Sequence, residues 1–340
     1  MKIEFQNVPW MRVFLCICAG LLLGVWFGHA SAQTRSLKIA TGGAGNTYST
    51  VFREISAACK DTLQLTEANT SGSIQNLDML VGNQVNGAMM QIDVLFSQAQ
   101  TQNLNSYRTL VNLFPEEVHV VAPAIAKVKA GGLLGVGSKP VVFTFIGDLG
   151  GYRIGAAGGS VRTATLIKLQ SQIPFEVVEL ADNKAVKAAL DAGQIEAALF
   201  VGGQPLGSVK DLGADYKLIA FPEAVQAMLK NVYRPAVLNY NKMGRAGLGV
   251  RTVATEAALV VQSYKTPAMV NALSQFRACA MAKADELKEE LGTHPAWKQI
   301  ASDQIENANS RGKWAWMELP SAGPAPVQAQ APAAKPAKRP

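Results

Sequence analysis

Histidine and cysteine are scarce in this chain of 340 residues, which contains three of the first and four of the second. No Cys/His spacing suits a metal site. Neither a nucleophile elbow nor a phosphate-binding P-loop motif occurs. These absences favour a binding protein over an enzyme, and we expect neither a cofactor nor a bound metal.

The histidines themselves offer little chemistry. His29 lies in the apolar N-terminal region, and His119 lies within a strand-like apolar run. We expect His119 to be a core or hinge residue rather than a catalytic base. His294 precedes a proline at a predicted helix start, where a structural role is expected.

Long hydrophobic runs are absent after the first 30 residues. The run from Val13 to Phe27 follows Lys2 and Arg12 and precedes the small residues Ala30-Ser31-Ala32. This pattern predicts a secretory signal peptide, residues 1–32, cleaved after Ala32, with a membrane anchor as the alternative. We therefore expect an exported, periplasmic protein.

Cleavage would leave two cysteines, Cys59 and Cys279. In an oxidising compartment they could form a disulfide that joins an early helix to a late one. Two buried free thiols are the alternative, because the sequence does not give their separation.

The formal net charge is +7, without a basic stripe interleaved with aromatic residues. Nucleic acid is therefore not an expected partner. A mildly positive balance is compatible with a small anionic ligand.

Strand-like apolar runs alternate with helical patterns, which predicts an α/β fold with mostly parallel sheets covered by helices. The chain also repeats itself. The stretch LKIATGGAGNTYST at Leu37 is similar to YRIGAAGGSVRTAT at Tyr152, and residues 80–90 are similar to residues 190–200. Two lobes of similar build explain these repeats, and a chance recurrence of common βαβ units is the alternative.

The lobe boundaries follow from these patterns. We predict residues 36–121 plus 236–316 as lobe one, 122–235 as lobe two, and 320–340 as a disordered Pro/Ala-rich tail. The remaining predictions of local structure are two strands, an irregular insertion and two C-terminal helices: Tyr107–Phe114, Val118–Pro123, Ala124–Ile146, Met269–Leu291 and Pro295–Ile305.

Polar glycine turns follow several predicted strands, where ligands bind in open α/β sheets. Glycine allows the backbone to approach a ligand, and a helix start offers unpaired N–H groups. The predicted ligand-binding residues are Thr41, Gly43, Asn46, Tyr48, Ser71, Ser73, Gln91, Ser160, Arg162, Thr163, Gly203 and Gln204.

Four of the polar residues allow two interpretations each. Arg162 could pair with a ligand carboxylate or be a solvated surface residue. Tyr48 could contact the ligand, with Thr41 beside it, or pack between elements. Asn76 and Asp93 are expected to cap or tie loops rather than touch a ligand.

Three stretches resemble the solute receptors of TRAP transporters of the TAXI type. They are Leu37–Tyr48, Thr70–Leu77 with its Gly-Ser-Ile-Gln-Asn-Leu run, and Gln91-Ile92-Asp93-Val94. The strand Asp148–Gly155 resembles the start of that family's second lobe. The turn Gly158-Gly159-Ser160-Val161-Arg162 departs from the family's Gly-Ser-Gly-Thr turn.

The resemblance implies a two-lobed periplasmic binding protein type II fold with a ligand cleft between the lobes. It also implies a TRAP-type membrane permease as partner. The expected ligand is a small organic acid or amino acid, with a carboxylate group. The alternatives are a periplasmic sensor or adaptor module that uses the same cleft, and an α/β enzyme.

Overall fold

The computed structural model describes residues 36–129, 138–300 and 314–319. The predicted signal peptide and Pro/Ala-rich tail lie outside these residues. None of the described helices is long and apolar enough to cross a membrane.

Twelve strands and seven α-helices occur in the described residues. The strands are β1 (Ser36–Ala40), β2 (Gln64–Ala68), β3 (Gly87–Gln91), β4 (Tyr107–Pro123), β5 (Ala126–Lys129), β6 (Ser138–Val141), β7 (Arg153–Ala157), β8 (Glu176–Leu180), β9 (Ala197–Gly202), β10 (Tyr216–Leu218), β11 (Arg234–Asn239) and β12 (Leu248–Gln262). The helices are α1 (Thr47–Ala58), α2 (Ser73–Val81), α3 (Ile92–Gln98), α4 (Gly159–Ser171), α5 (Asn183–Asp191), α6 (Glu223–Leu229) and α7 (Pro267–Glu289).

One pattern of strands occurs twice in the main sheet. The sheet order is β2-β1-β3-β12-β4-β9-β7-β8, with β10 paired to β4 and β11 to β12. Read from the two ends, the orders β2-β1-β3-β12-β4 and β8-β7-β9-β4-β10 have the same form. Three parallel strands are followed by a returning antiparallel strand in each. This repetition confirms the expected α/β fold, built from two similar units.

Each repeat has its own hydrophobic core. We call β1–β3 with α1–α3 and α7 the first half, and β7–β9 with α4 and α5 the second half. In the first half Ile39 packs towards α1 and α7, whereas Ala40 packs towards α2 and α3. In the second half Ile154 packs with α4 residues and Ala157 with α5 residues. Helices therefore cover both faces of each parallel group.

The two halves are joined by the long antiparallel strands β4 and β12. The predicted strands Tyr107–Phe114 and Val118–Pro123 are wrong as separate elements, because they form the single strand β4. Pro115 is accommodated where it pairs with Glu256, next to a register shift. A missing N–H is tolerated at such an irregularity. Strand β4 pairs with β12 up to Glu117 and with β9 from Glu117 onward.

Other predictions are confirmed or corrected locally. The insertion contains the hairpin β5–β6. The described part of the predicted helix Pro295–Ile305 is a short 3₁₀ helix, Pro295–Gln299. The N–H groups of Trp297 and Ile300 each donate to the carbonyl three residues earlier in the chain. The disulfide is present: Cys59 at the end of α1 is bonded to Cys279 on α7, with Cα atoms 6.0 Å apart. It joins an early helix to a late one.

Candidate functional site

The two halves meet around the carboxylate of Asp93, in the first turn of α3. Asp93 is fully buried. Its Oδ2 atom accepts hydrogen bonds from Thr163 Oγ1 at 2.6 Å and from the Tyr233 hydroxyl at 2.9 Å. Thr163 lies on α4 and Tyr233 immediately precedes β11. A carboxylate of the first half therefore accepts hydrogen bonds from hydroxyls on the other side of the long strands β4 and β12.

A second contact forms next to the point where β4 changes partners. The hydroxyl of Tyr48, on α1, donates to Glu116 Oε2 at 2.5 Å. Both side chains are buried. Tyr48 therefore connects the helix after the first glycine turn to the crossing strand β4.

Gly159 allows the start of α4 to approach the first half closely. A Cβ atom at this position would lie 2.3 Å from Gln91 Oε1 and 3.6 Å from Ser73 Cβ. Ser73 and Gln91 are themselves linked, since the Gln91 N–H donates to Ser73 Oγ at 3.2 Å. The segments after β2, β3 and β7 therefore come together, as expected for strand ends in an open α/β sheet.

Four carboxyl groups are buried where the two halves meet: Asp93, Glu116, Glu117 and Glu256. Glu116 faces away from Glu117 and Glu256, because strand neighbours alternate between the two faces of the sheet and Glu256 pairs with Pro115. Burial, with a smaller contribution from the other three acids, raises the pKa of Glu116 to about 8. Burial raises the pKa of Asp93 to about 6, against the opposing hydrogen bonds from its two hydroxyl donors. We call these four residues the acid cluster.

Two groups donate hydrogen bonds to the acid cluster, one from a side chain and one from the backbone. Arg234 Nε lies 2.7 Å from Glu256 Oε1. The backbone N–H of Gln204 donates to Glu117 Oε2 at 3.1 Å. Burial nevertheless raises the pKa of Glu117, because the loss of water outweighs these contacts.

The sequence of residues 39–310 matches the model of the NMT1-like family, which is most of the chain. The chain belongs to the NMT1-like family.

Solved structures with a similar arrangement have low sequence identity to this NMT1-like chain. A protein from Bordetella bronchiseptica RB50 is 17% identical, with a TM-score of 0.45, and the match covers 79% of this chain and 78% of that one. The amino acid ABC transporter substrate-binding protein AbpA from Streptococcus pneumoniae, bound to L-arginine, is 12% identical, with a TM-score of 0.45 and coverages of 80% and 97%. The GluR0 ligand-binding core with L-glutamate is 12% identical, with a TM-score of 0.44 and coverages of 74% and 95%.

Several of the predicted ligand-binding residues lie at this junction in the NMT1-like chain. They come from four segments, which follow β1, β2, β3 and β7: Tyr48, Ser73, Gln91, Ser160 and Thr163. All five are buried, and four of them bond to one another or to the acid cluster, as described above. The convergence supports the idea that the glycine turns face a shared site.

Other predicted residues have partners away from the acid cluster. The Thr41 hydroxyl donates to Glu67 at 2.8 Å, so its side chain is engaged within the first half. Ser71 is exposed and bonds to Gln75. Asn46 is exposed before α1, beside Gly43.

The backbone of the turn after β9 packs against strand β4. Gly203 faces the carbonyl of Pro115. The side chain of Gln204 bonds to Val237 and Asn239 of β11. The side chain of Gln204 therefore joins the turn after β9 to β11, while its backbone N–H contacts Glu117.

Arg162 lies in the first turn of α4 and is half-buried. Its Nε atom is enclosed without a hydrogen-bond partner. Thr163, the next residue, bonds to Asp93. The N–H of an enclosed guanidinium nitrogen beside the junction can donate a hydrogen bond to an added oxygen ligand.

Glu116, Glu117 and Glu256 were missed as site residues by sequence reasoning. They stand within apolar strand runs, VNLFPEEVHVV and TVATEAALVV, where a charge is unusual. That contrast was the available signal. Glu116 and Glu117 fall between the predicted strands Tyr107–Phe114 and Val118–Pro123, so the pattern did not place them within a strand.

Both described histidines have structural partners, as expected. His119 donates from Nδ1 to the Glu117 carbonyl and accepts at Nε2 from the Tyr240 hydroxyl, each at 2.8 Å. Burial lowers the pKa of His119 to about 4. His294 Nδ1 accepts from the Ala296 N–H and so begins a short helix.

Proposed function

We propose that this protein is an extracytoplasmic solute-binding receptor. It captures a small organic solute between its two halves and presents the closed form to a TRAP-type membrane permease. The observation that carries the proposal is the joint of Asp93 with Thr163 and Tyr233. In this joint a buried carboxylate of the first half accepts hydrogen bonds from hydroxyl groups on the other side of the long strands β4 and β12.

The long strands β4 and β12 provide the hinge in this proposal. They are the continuous connections between two separately packed cores. Rotation about the region where β4 exchanges β12 for β9 would separate the joint, together with the contact of Phe96 on α3 with the second core, and leave the rest of each core packed. We place lobe one at residues 36–121 and 236–316, and lobe two at 122–235.

Two features support export. The disulfide Cys59–Cys279 suits an oxidising compartment. The first 32 residues have the pattern of a signal peptide, although they lie outside the described part of the chain. We therefore place the mature protein in the periplasm.

Binding without turnover is favoured by the chemistry of the junction. The two described histidines are occupied in structural contacts. Among the described residues, no group of three His, Cys, Asp or Glu side chains is arranged to hold a metal ion. The TRAP-type permease is proposed as the partner on the resemblance of Leu37–Tyr48 and the two following motifs to TAXI receptors.

The test combines ligand identification with disruption of the joint. Native mass spectrometry of the purified mature chain would reveal a co-purified solute, and a thermal-shift screen of organic acids and amino acids would find others. A ligand at one hundred times its dissociation constant adds about 2.7 kcal/mol of stability. A chain that binds no member of either class would contradict the proposal.

Thr163→Val is the matched variant for the joint, because it removes the hydroxyl and keeps the shape. We expect affinity for any bound solute to fall at least about tenfold, since closure loses a buried hydrogen bond to a carboxylate. Thr165→Val is the control. Thr165 lies on the same helix, and its hydroxyl bonds to the Val161 carbonyl. Equal affinities for both variants would remove the joint from the mechanism.

A further inference from the structure

We infer that the solute binds through a carboxylate group at the start of α4, between Arg162 and the side-chain amide of Gln91. The inference rests on the proposed function and names the class of solute. Arg162 belongs to the second half and Gln91 to the first, so one group of the solute would contact both halves.

The start of α4 offers backbone N–H groups without partners in the helix. Gly158 precedes α4 with a φ of 54° and provides no side-chain cap. The Val161 N–H donates to the Gly158 carbonyl at 3.1 Å, whereas the N–H groups of Gly159 and Ser160 come too early in the helix to have such a partner. The partial positive charge at a helix start favours an anion. Many helices share this feature, and two side chains make this one a candidate site.

The first of these side chains is Gln91, the last residue of β3. It is 5% exposed, and its Oε1 atom lies 2.3 Å from the place that a Cβ atom at Gly159 would take. Its backbone N–H donates to Ser73 Oγ, whereas its side-chain amide has no hydrogen-bond partner within the part of the chain that the structure describes. Buried side-chain amides normally have one. The amide therefore faces the helix start with its hydrogen-bonding capacity unused.

The second side chain is Arg162, in the first turn of α4. Its Nε atom is enclosed without a hydrogen-bond partner, and no acid among the described residues, Asp93 included, forms an ion pair with its guanidinium group. Helical side chains lean towards the N-terminus, over the residues three and four positions earlier. For Arg162 these residues are Gly159 and Gly158, which have no side chains to fill that space. A partly buried cation without a counter-ion is costly, and a ligand carboxylate would offset that cost.

A carboxylate matches these groups better than an ammonium or a phosphate group does. The guanidinium group of Arg162 and the amide of Gln91 both present N–H donors, for which an ammonium group has no acceptor. One cationic side chain and one helix start suit a single negative charge, whereas a phosphate group carries about −1.5 to −2 at neutral pH. The planar carboxylate also fits the fork of N–H groups on a guanidinium.

Matched ligand pairs test the inference directly. The probes are 4-methylpentanoate with 4-methylpentanamide, glutarate with glutaramide, and L-leucine with L-leucinamide, and 3-methylbutyl phosphate is the competing anion. Isothermal titration of the mature chain should give binding of at least one carboxylate, with at least about tenfold weaker binding of its amide. Equal or tighter binding of the amides or of the phosphate, or a co-purified solute without a carboxylate, would overturn the inference and leave the receptor function intact. No binding by any probe and no co-purified solute would contradict both.

Arg162→Gln tests the position of the carboxylate. Because Arg162 has no partner in the described chain, the fold is expected to persist. Affinity for the carboxylate probe that binds most tightly should fall at least about tenfold, while affinity for its amide changes little. Lys168→Gln is the control, since Lys168 is an exposed cation in the last turn of the same helix. Unchanged affinity in Arg162→Gln, or an equal loss in both variants, would overturn the assignment.

Gln91→Met separates a ligand contact from a structural role. Methionine keeps the length of the side chain and removes an amide that has no partner, so the ligand-free variant should unfold at the same temperature as the natural chain or at a higher one. Its affinity for the carboxylate probe should nevertheless fall at least about fivefold, because the ligand loses a hydrogen-bond donor. Thermal unfolding without ligand and isothermal titration measure the two effects. A less stable variant with unchanged affinity would show that Gln91 is structural and would contradict the inference.

Discussion

In both halves of the sheet, the residue before the third parallel strand accepts a hydrogen bond from a backbone N–H of the central strand. The two halves differ in the side-chain contacts at this position. In the first half the Lys38 N–H donates to Asn86 Oδ1 at 2.8 Å, and in the second the Arg153 N–H donates to Glu196 Oε2 at 2.9 Å. The backbone bond is equivalent. In the second half, the Arg153 side chain also pairs with Glu196 at 2.8 Å.

The turns before Asn86 and Glu196 also have equivalent backbone conformations. Asn83 and Gly193 both have positive φ, at 56° and 67°. Asparagine and glycine are the residues that adopt this conformation most readily. The backbone pattern is therefore common to both halves, whereas the side-chain contacts differ. The second half adds a guanidinium–carboxylate pair at this position, and the first half has a disulfide elsewhere, between α1 and α7.

Removing the disulfide should have the largest effect on stability and should act on the first half more than on the second. The double variant Cys59→Ser/Cys279→Ser frees a connection across 220 residues of chain, and we expect unfolding to require about 2 to 5 kcal/mol less. Urea unfolding with and without reductant measures this. Hydrogen exchange should accelerate in α1 and α7 while α4 and α5 change little. Faster exchange spread evenly over both halves would show that the bridge does not act on the first half alone.

The junction between the halves should respond to pH. Glu116 has a pKa raised from 4.5 to about 8 by burial, so between these values the folded state binds a proton that the unfolded state has lost. Stability contributed by this group is present below pH 4.5 and falls as pH rises through 8, by up to about 5 kcal/mol. Asp93 acts in the same direction between pH 3.8 and about 6.

Glu116→Gln should flatten this dependence, because an amide does not titrate. Urea unfolding at several pH values from 4.5 to 8 compares the slopes of the natural chain and the variant. His119 acts oppositely and provides an internal reference. Its pKa is lowered to about 4, so its contribution to stability is lost as pH falls below 6.5. Identical slopes above pH 6.5 would contradict a protonated Glu116 in the folded chain.

Local patterns made much of the fold predictable. The glycine turns, the repeat at Leu80 and Leu190, and the cysteine pair Cys59 and Cys279 depend on short stretches of sequence. Strand β4 was not predictable in the same way, because Pro115 is normally a strand breaker. It is tolerated here by a register shift on the neighbouring strand β12, which is far away in sequence.

The candidate site was predictable in part for the same reason. Turns such as Gly158–Thr163 follow strands and so converge at one edge. The buried acids could not be placed, since burial of Glu116 depends on Tyr48 and on packing between the two halves. Thr41 shows the opposite error: its hydroxyl bonds to Glu67, a partner that local sequence did not reveal.

Glycine positions in the two parallel groups allow a finer comparison. The cross-strand pairs are Ala40–Ala88 in the first half and Gly155–Ala198 in the second. A Cβ at Gly155 would lie 2.3 Å from Ile195 Cδ1. Gly155→Ala should therefore destabilise by about 2 kcal/mol through overpacking.

The double variant Gly155→Ala/Ile195→Val removes the clashing methyl group and should recover part of this loss. Gly87→Ala is the counterpart in the first half, where the nearest atom would be Ile39 Cδ1 at 3.0 Å. Its cost should be smaller, about 1 kcal/mol. Thermal unfolding of the three variants ranks them. A larger cost at Gly87 would reverse the comparison.

The smallest expected difference lies at the starts of α5 and α2. Asp182 precedes α5 and accepts a hydrogen bond from the Ala185 N–H at 2.8 Å. Gly72 precedes α2 with φ of 123° and has no side chain to offer. Asp182→Ala should cost about 1 kcal/mol, and Asp182→Asn much less, because the amide oxygen still caps the helix.

Urea unfolding measures both Asp182 variants against the natural chain. An equal loss in the alanine and asparagine variants would assign the effect to charge at the helix end rather than to the cap. Gly72→Ala should also destabilise, but for a different reason, since alanine rarely adopts that backbone conformation. The same position in the two repeats is thus stabilised by a side chain in one half and depends on the absence of a side chain in the other.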